Sequence, residues 1–271
     1  MAETVYIGIK LEWDYVHRRV TLPMPSYVCK ELHRFQHILR GCKDYSPQTC
    51  APIQYGQKVQ YADPLDTADY LSDKETNLVQ QVCGTFLYYA ITIDNTFLPA
   101  LSDISLEQSK ATTNTAKQVH KILNYLASNP QGEIQYRASG MQLSIHSDAS
   151  YLSVAQARIR ASGVHFLSKG PPDPDNTEDF VLTTNGILLV VCKIMRNIMA
   201  SAAEAKYGTI FVNAQTAVPI RTTLAEMRWK QGPTAIQVDN STAVGISNKE
   251  FCQKKSKSMD MKFYWINERI K

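Results

Sequence analysis

Three carboxylates in the second half of the chain carry the chemistry this sequence offers: Asp148 in GMQLSIHSDAS, Glu204 in SAAEAKYG and Asp239 at the end of TAIQVDNS. Met141, Leu143 and Ile145 alternate with polar residues, so the stretch bearing Asp148 reads as a half-buried strand. Cutting a phosphodiester by a two-metal route needs several carboxylates converging on Mg2+ ions about 4 Å apart. The middle of one strand, the first turn of a helix and the end of a later strand can share one sheet edge. Asp148, Glu204 and Asp239 are therefore the candidate catalytic and metal-binding set, for two Mg2+ ions or for Mn2+. Each has an ordinary role as well. Ser201-Ala-Ala-Glu204 fits a capping box, Asp239 stands where it can cap the next helix, and Asp148 can start a turn. His146, two residues before Asp148, shares its face of the strand. Cys29, His33 and His37 on one helical face, with Cys42 just beyond Gly41, have ligand chemistry, but their spacing departs from common zinc modules and the helix has its own apolar stripe.

The elements that must position these groups follow from periodicity. VYIGIKLEW and RVTLPMP read as a hairpin turning between Asp14 and Arg19. From Ser26, a candidate N-cap, a helix carries Val28, Leu32, Phe35, Ile38 and Leu39 to Gly41. Residues 42–72 read as loop. Helices are expected from Glu75 to about Ile93 (Leu78, Val82, Phe86 and Leu87 on one face), from Asn95 to Leu106, and from about Thr113 to Ala127. From Gly132 the pattern becomes mixed: the Asp148 strand, then RIRASGVHFLS, then GILLVVCKI. A helix then runs from Ser201 to about Ala217, with a break at Pro219 before a second helical stretch to Trp229. The strand TAIQVD follows, with final helices at Asn240 to Ile246 and Met261 to Ile270. The fold class is α/β, a C-terminal mixed sheet with flanking helices preceded by a hairpin and a helical region.

The 271 residues are 44% hydrophobic, enough for one large core or two modest ones. No apolar run approaches a membrane span and no signal-peptide pattern opens the chain. The six cysteines form no C-x-x-C pair, which points to an intracellular, reducing setting, cytoplasmic or nuclear. From Lys249 onward seven basic residues face three acidic ones, which matches the whole net charge of +4. A basic stretch beside an acidic cluster suits a polyanionic partner. Lys254, Lys255 and Lys257, with Asn240 and Ser241, are the candidate nucleic-acid contacts.

HSDASYLS, ARIRASGVHFLS, MASAAEAKYGTIFVNAQ, IQVDNSTAVGI and KKSKSMDMKFYWINERI resemble, in order and spacing, the RNase H segment of Pol polyproteins from copia-type LTR retrotransposons. Upstream, VYIGIKLEWDY and RRVTLPMPSYVCKELHRFQH resemble the end of the reverse-transcriptase palm and the thumb. LVQQVCGTFLYYAITIDNTFLPAL and TAKQVHKILNYLASNP resemble the connection. The resemblance implies three regions: palm end and thumb over 1–72, connection over 73–131, and an RNase H-like domain over 132–271 lacking its last strand and helix. It implies that Asp148, Glu204 and Asp239 are three of four metal ligands for Mg2+-dependent hydrolysis of the RNA strand of an RNA/DNA hybrid. Other parts of the Pol polyprotein are the implied partners. The polymerase aspartates and the fourth RNase H carboxylate are expected outside this chain, so the activity is expected to be impaired. A non-catalytic nucleic-acid-binding pseudo-enzyme, or an untranslated relic, is the alternative. Three departures bear on this, the first being Arg160-Ala161-Ser162-Gly163, which stands where relatives usually have a Ser-x-x-Gly-Tyr or Arg-x-Gly-Gly type turn. Ser258 replaces a His of relatives, and Lys206 stands where relatives often carry a second Glu, which should weaken the local negative field.

Overall fold

The N-terminal hairpin is built, and it holds one more turn and one more strand than the periodicity indicates. The structure, a computed structural model, describes residues 4–38, 43–49, 66–154, 158–170, 184–195, 199, 201–248, 262, 264–266 and 268–269. The chain divides into two compact units, Met1–Arg137 and Ala138–Lys271.

In the first unit a four-stranded antiparallel sheet runs β1 (Thr4–Tyr6), β2 (Ile9–Asp14), β3 (Arg19–Pro23) and β4 (Glu133–Arg137), paired in that order. VYIGIKLEW is not one strand, because Ile7 and Gly8 both take positive φ and fold it into a two-residue turn. At the next turn Asp14 accepts from the His17 amide and from Arg19 Nε, fixing the reversal. Strand β4 lies in the stretch where periodicity gave only a change of character. It pairs Ile134 with Leu22, over 110 residues away in sequence, a contact that no local pattern can report.

Among the described residues four α-helices belong to this unit: α1 (Tyr27–Arg34), α2 (Asp73–Thr92), α3 (Leu98–Glu107) and α4 (Thr113–Ser128). Ser26 precedes α1 with φ 64 and makes no side-chain cap, contrary to expectation. That helix stops at Arg34, so Ile38 is exposed and His37 instead bonds Asn124 Oδ1. The Cys29-His33-His37 spacing therefore has no continuous helix beneath it. Helices α2 and α4 start on reciprocal caps, Ser72 with Glu75 and Thr112 with Thr115. The buried face of α2 is Val79, Val82, Cys83, Phe86, Tyr89 and Ala90, so Leu78 and Leu87, expected inside, stand exposed. The buried stripe meets aromatic partners: Tyr89 stacks on Tyr27 and on Phe97.

The second unit is a mixed α/β layer. Strands β5 (Gln142–Val154), β6 (Arg158–Ser168), β7 (Ile187–Met195) and β8 (Ala235–Gln237) form one sheet in the order β7-β6-β5-β8. Neighbours are antiparallel except β5 and β8, which run parallel. A parallel pair needs a long crossover, and α5 (Ala202–Glu226) supplies it. The helix is continuous through Pro219, where the sequence indicated a break. A proline inside a helix costs about 3 kcal/mol, and the packing beyond it offsets this. Leu224 and Ile220 reach the same apolar cluster as Leu143 and Ile145, and Arg221 Nη1 donates to Gly232 O at 2.6 Å. A short helix α6 (Ser241–Ser247) follows β8, and residues 262 and 264–266 are helical. Tyr207, Ile210, Ala243, Ile246 and Ile266 pack together there. No helix among the described residues is long and apolar enough to cross a membrane.

Within this sheet His165 lies directly opposite Ile145, on the face that the Leu143 and Ile145 cluster shares with α5. It is fully buried, neither ring nitrogen has a partner, and burial pushes its pKa down to about 4. The folded protein thus keeps His165 neutral where the unfolded chain takes up a proton. Stability is unaffected above pH 6.5 and is lost as pH falls from there to about 4, by about 3 kcal/mol in all. Urea denaturation of the protein and of His165→Leu at pH 7.5 and pH 4.5 checks this. The variant is expected to lose markedly less stability on acidification than the parent.

Candidate acidic site at the edge of the second sheet

The parallel pairing of β5 with β8 decides what meets at the sheet edge. The last paired residues are His146 and Gln237. Asp148 stands two residues further along β5 and Asp239 two residues past the end of β8, so the two carboxylates come to the same edge. With Ser162, Val164 and His146 they line an open cleft of about 310 Å³. Asp239 does not cap α6; Asn240 does, accepting from the Ala243 amide at 2.9 Å. Asn240 Oδ1, offered by the sequence as a nucleic-acid contact, is thereby engaged; Ser241 is the first residue of the helix.

What stands between the two carboxylates is a lysine. Lys206 Nζ donates to Asp148 Oδ1 at 2.8 Å and also to Asp239 Oδ1. The Lys206 side chain is only 14% exposed, whereas those of Asp148 and Asp239 are 66% and 68% exposed. Partial burial pulls the Lys206 pKa down, but the hydrogen bonds to the two aspartates outweigh it and the net shift is upward. The bond from Lys206 is also the main reason the Asp239 carboxyl is held below the usual range.

Glu204 goes elsewhere. Residues two apart on a helix point about 200° from each other, so Glu204 and Lys206 cannot face one cluster. Glu204 is buried in the first turn, where Ser201 caps the helix by accepting from its amide at 3.1 Å. Its charge opposes the downward pull of burial on Lys262, whose Nζ lies beside Gly208, one turn along from Glu204. The trio expected from the sequence is therefore reduced to a pair, with position 206 as its third corner. Among the described residues no group of three His, Cys, Asp or Glu side chains could hold a metal ion. The groups present do not fit two Mg2+ ions. Three carboxylates face two ammonium groups, and one ammonium is inserted where the oxygens converge. Lys254, Lys255 and Lys257 lie outside the described residues.

A second contact sets the helix over the sheet. Asn213 shares a helix stripe with Lys206, seven residues away or two turns. Its Nδ2 donates to Ser147 Oγ at 2.9 Å and to Ser162 O at 3.1 Å, spanning β5 and β6 beside Asp148. Gly163 makes room for it: a Cβ at Gly163 would lie 1.9 Å from Asn213 Oδ1. This Gly-Asn lock aims Lys206 at Asp148, and sequence reading did not single it out. The seven-residue spacing between Lys206 and Asn213 was its one local signal.

Compared with known families and solved structures, the chain matches no family model and no solved structure.

Gly163→Ala is expected to destabilise the protein by about 2 kcal/mol, because the buried Asn213 amide, held through Nδ2 by both strands, cannot yield cheaply. Combining it with Asn213→Ala should relieve the clash, so the double variant is more stable than the sum of the two losses by about 1 kcal/mol or more. A double-mutant cycle by urea denaturation reads the coupling directly.

Proposed function

We propose that the chain derives from the Pol polyprotein of a copia-type LTR retrotransposon, and that its second unit is an RNase H-type module that holds an RNA/DNA hybrid without cutting it. The ancestry is supported by where the resembling blocks fall. HSDASYLS lies in β5 and RIRASGVHFLS is β6, while AAEAKYGTIFVNAQ opens α5 and IQVDNSTAVGI spans β8 and α6. By the same resemblance the first unit holds the end of the palm and the thumb and connection segments.

The observation that carries the non-cutting reading is the Lys206 ammonium bonded to both Asp148 and Asp239. Two-metal hydrolysis requires anionic oxygens converging on divalent ions. Here the oxygens of Asp148 and Asp239 converge on a monovalent group belonging to the protein, and Glu204 lies within electrostatic reach of Lys262. What remains to such a fold is backbone binding. The basic C-terminal stretch supplies phosphate contacts, and discrimination of RNA falls to 2′-hydroxyl contacts across the minor groove. No base specificity is expected.

The test is a gel-shift and cleavage assay with an end-labelled RNA/DNA hybrid. The protein should bind equally well in Mg2+ and in chelator, lose affinity steeply as salt rises, and leave the RNA strand whole. Mg2+-dependent cleavage that disappears in Asp148→Asn would establish the enzyme instead. Absence of salt-sensitive binding would remove the nucleic-acid reading altogether.

A further inference from the structure

We infer that Lys206 is a resident, covalently attached cation that holds the Asp148–Asp239 site in place of a divalent metal and competes with any metal for it. Three observations converge. The parallel register of β5 and β8 sets two carboxylates together at a strand edge, where like charges oppose their approach. A single ammonium bonds both of them, and it is the least exposed of the three side chains. Its helix is fixed over the strands by Asn213 and Gly163, so the ammonium is delivered by the fold rather than by a free side chain sampling the surface.

Competition follows from the tether. A group attached to the same framework acts at a high effective concentration without any supply from solution. If it occupies the site nine-tenths of the time, the apparent affinity of the same carboxylates for a free ion falls about tenfold. A divalent ion that did displace it would sit close to an ammonium with little room to withdraw, since the lysine stem is mostly buried. The site is thus closed to metal by one side chain, and removing that side chain's charge should open it.

The inference deepens the reading above at the same site. Its test does not use nucleic acid, so hybrid binding and ion occupancy fail or succeed separately. Mn2+ binding is followed by the loss of the free-ion electron paramagnetic resonance signal, at constant ionic strength, for the unaltered protein, Lys206→Gln, Lys206→Arg, and Lys206→Gln combined with Asp148→Asn. Lys206→Gln should gain a Mn2+ site with half-saturation about tenfold lower than any seen in the parent. Lys206→Arg, which keeps a cation, should behave like the parent, and Asp148→Asn should abolish the gain. Equal half-saturation in parent and Lys206→Gln overturns the inference, as does a gain that survives Asp148→Asn. If Lys206→Gln is unfolded without metal, recovery of its circular dichroism on adding Mn2+ supports the inference, and failure to recover overturns it.

Discussion

Two carboxylates set side by side by a parallel strand pair need a positive charge between them, and in this chain that charge is built in. The β5–β8 register fixes the carboxylates, α5 is the crossover that makes a parallel register attainable, and Lys206 is carried on that same crossover. Strand order, helix placement and site chemistry are thus consequences of one connection. An exposed ion pair contributes little to stability by itself, about 0–1 kcal/mol. What the pairing does show is that one ammonium bonds both carboxylates.

The device that makes this reliable lies one layer deeper. Lysine is a long, flexible side chain that loses considerable entropy when held, so its base must be positioned well. Asn213 does this by bonding one hydroxyl on β5 and one carbonyl on β6, and Gly163 lets the helix approach closely enough for both bonds. The neighbouring His165 is kept neutral by the same close packing. The apolar cluster of Leu143, Ile145, Ala217 and Leu224 carries α5 on past Pro219. The helix therefore remains one rod over the sheet, and the orientation set at Asn213 is preserved along it.

Much of this is legible from residue order. Alternation locates β5, apolar runs locate β7 and β8, the Ser201 cap marks the start of α5, and a mid-strand and a strand-end position single out Asp148 and Asp239. The third corner was not legible, for a physical reason. Glu204 and Lys206 are both at the start of α5, and which one faces the strands depends on the rotation of the helix. That rotation is set by the long-range contact of Asn213 with Ser147 and Gly163. The same limit explains α2, where the buried face is rotated from Leu78 and Leu87 toward Val79 and Tyr89 because Tyr27 and Phe97 are its partners. It also explains β4, whose partner strand lies more than a hundred residues earlier. A continuous α5 was missed because the local cost of Pro219 is visible in sequence and the packing that offsets it is not.

The central claim, that the cation between Asp148 and Asp239 is the chain's own ammonium, is tested most directly by crystals of the unaltered protein soaked in Mn2+ and measured for anomalous scattering. No manganese peak is expected between the two carboxylates, with clear density for Lys206 Nζ bonded to both. A manganese peak at that position, with the lysine turned away from it, would contradict the account.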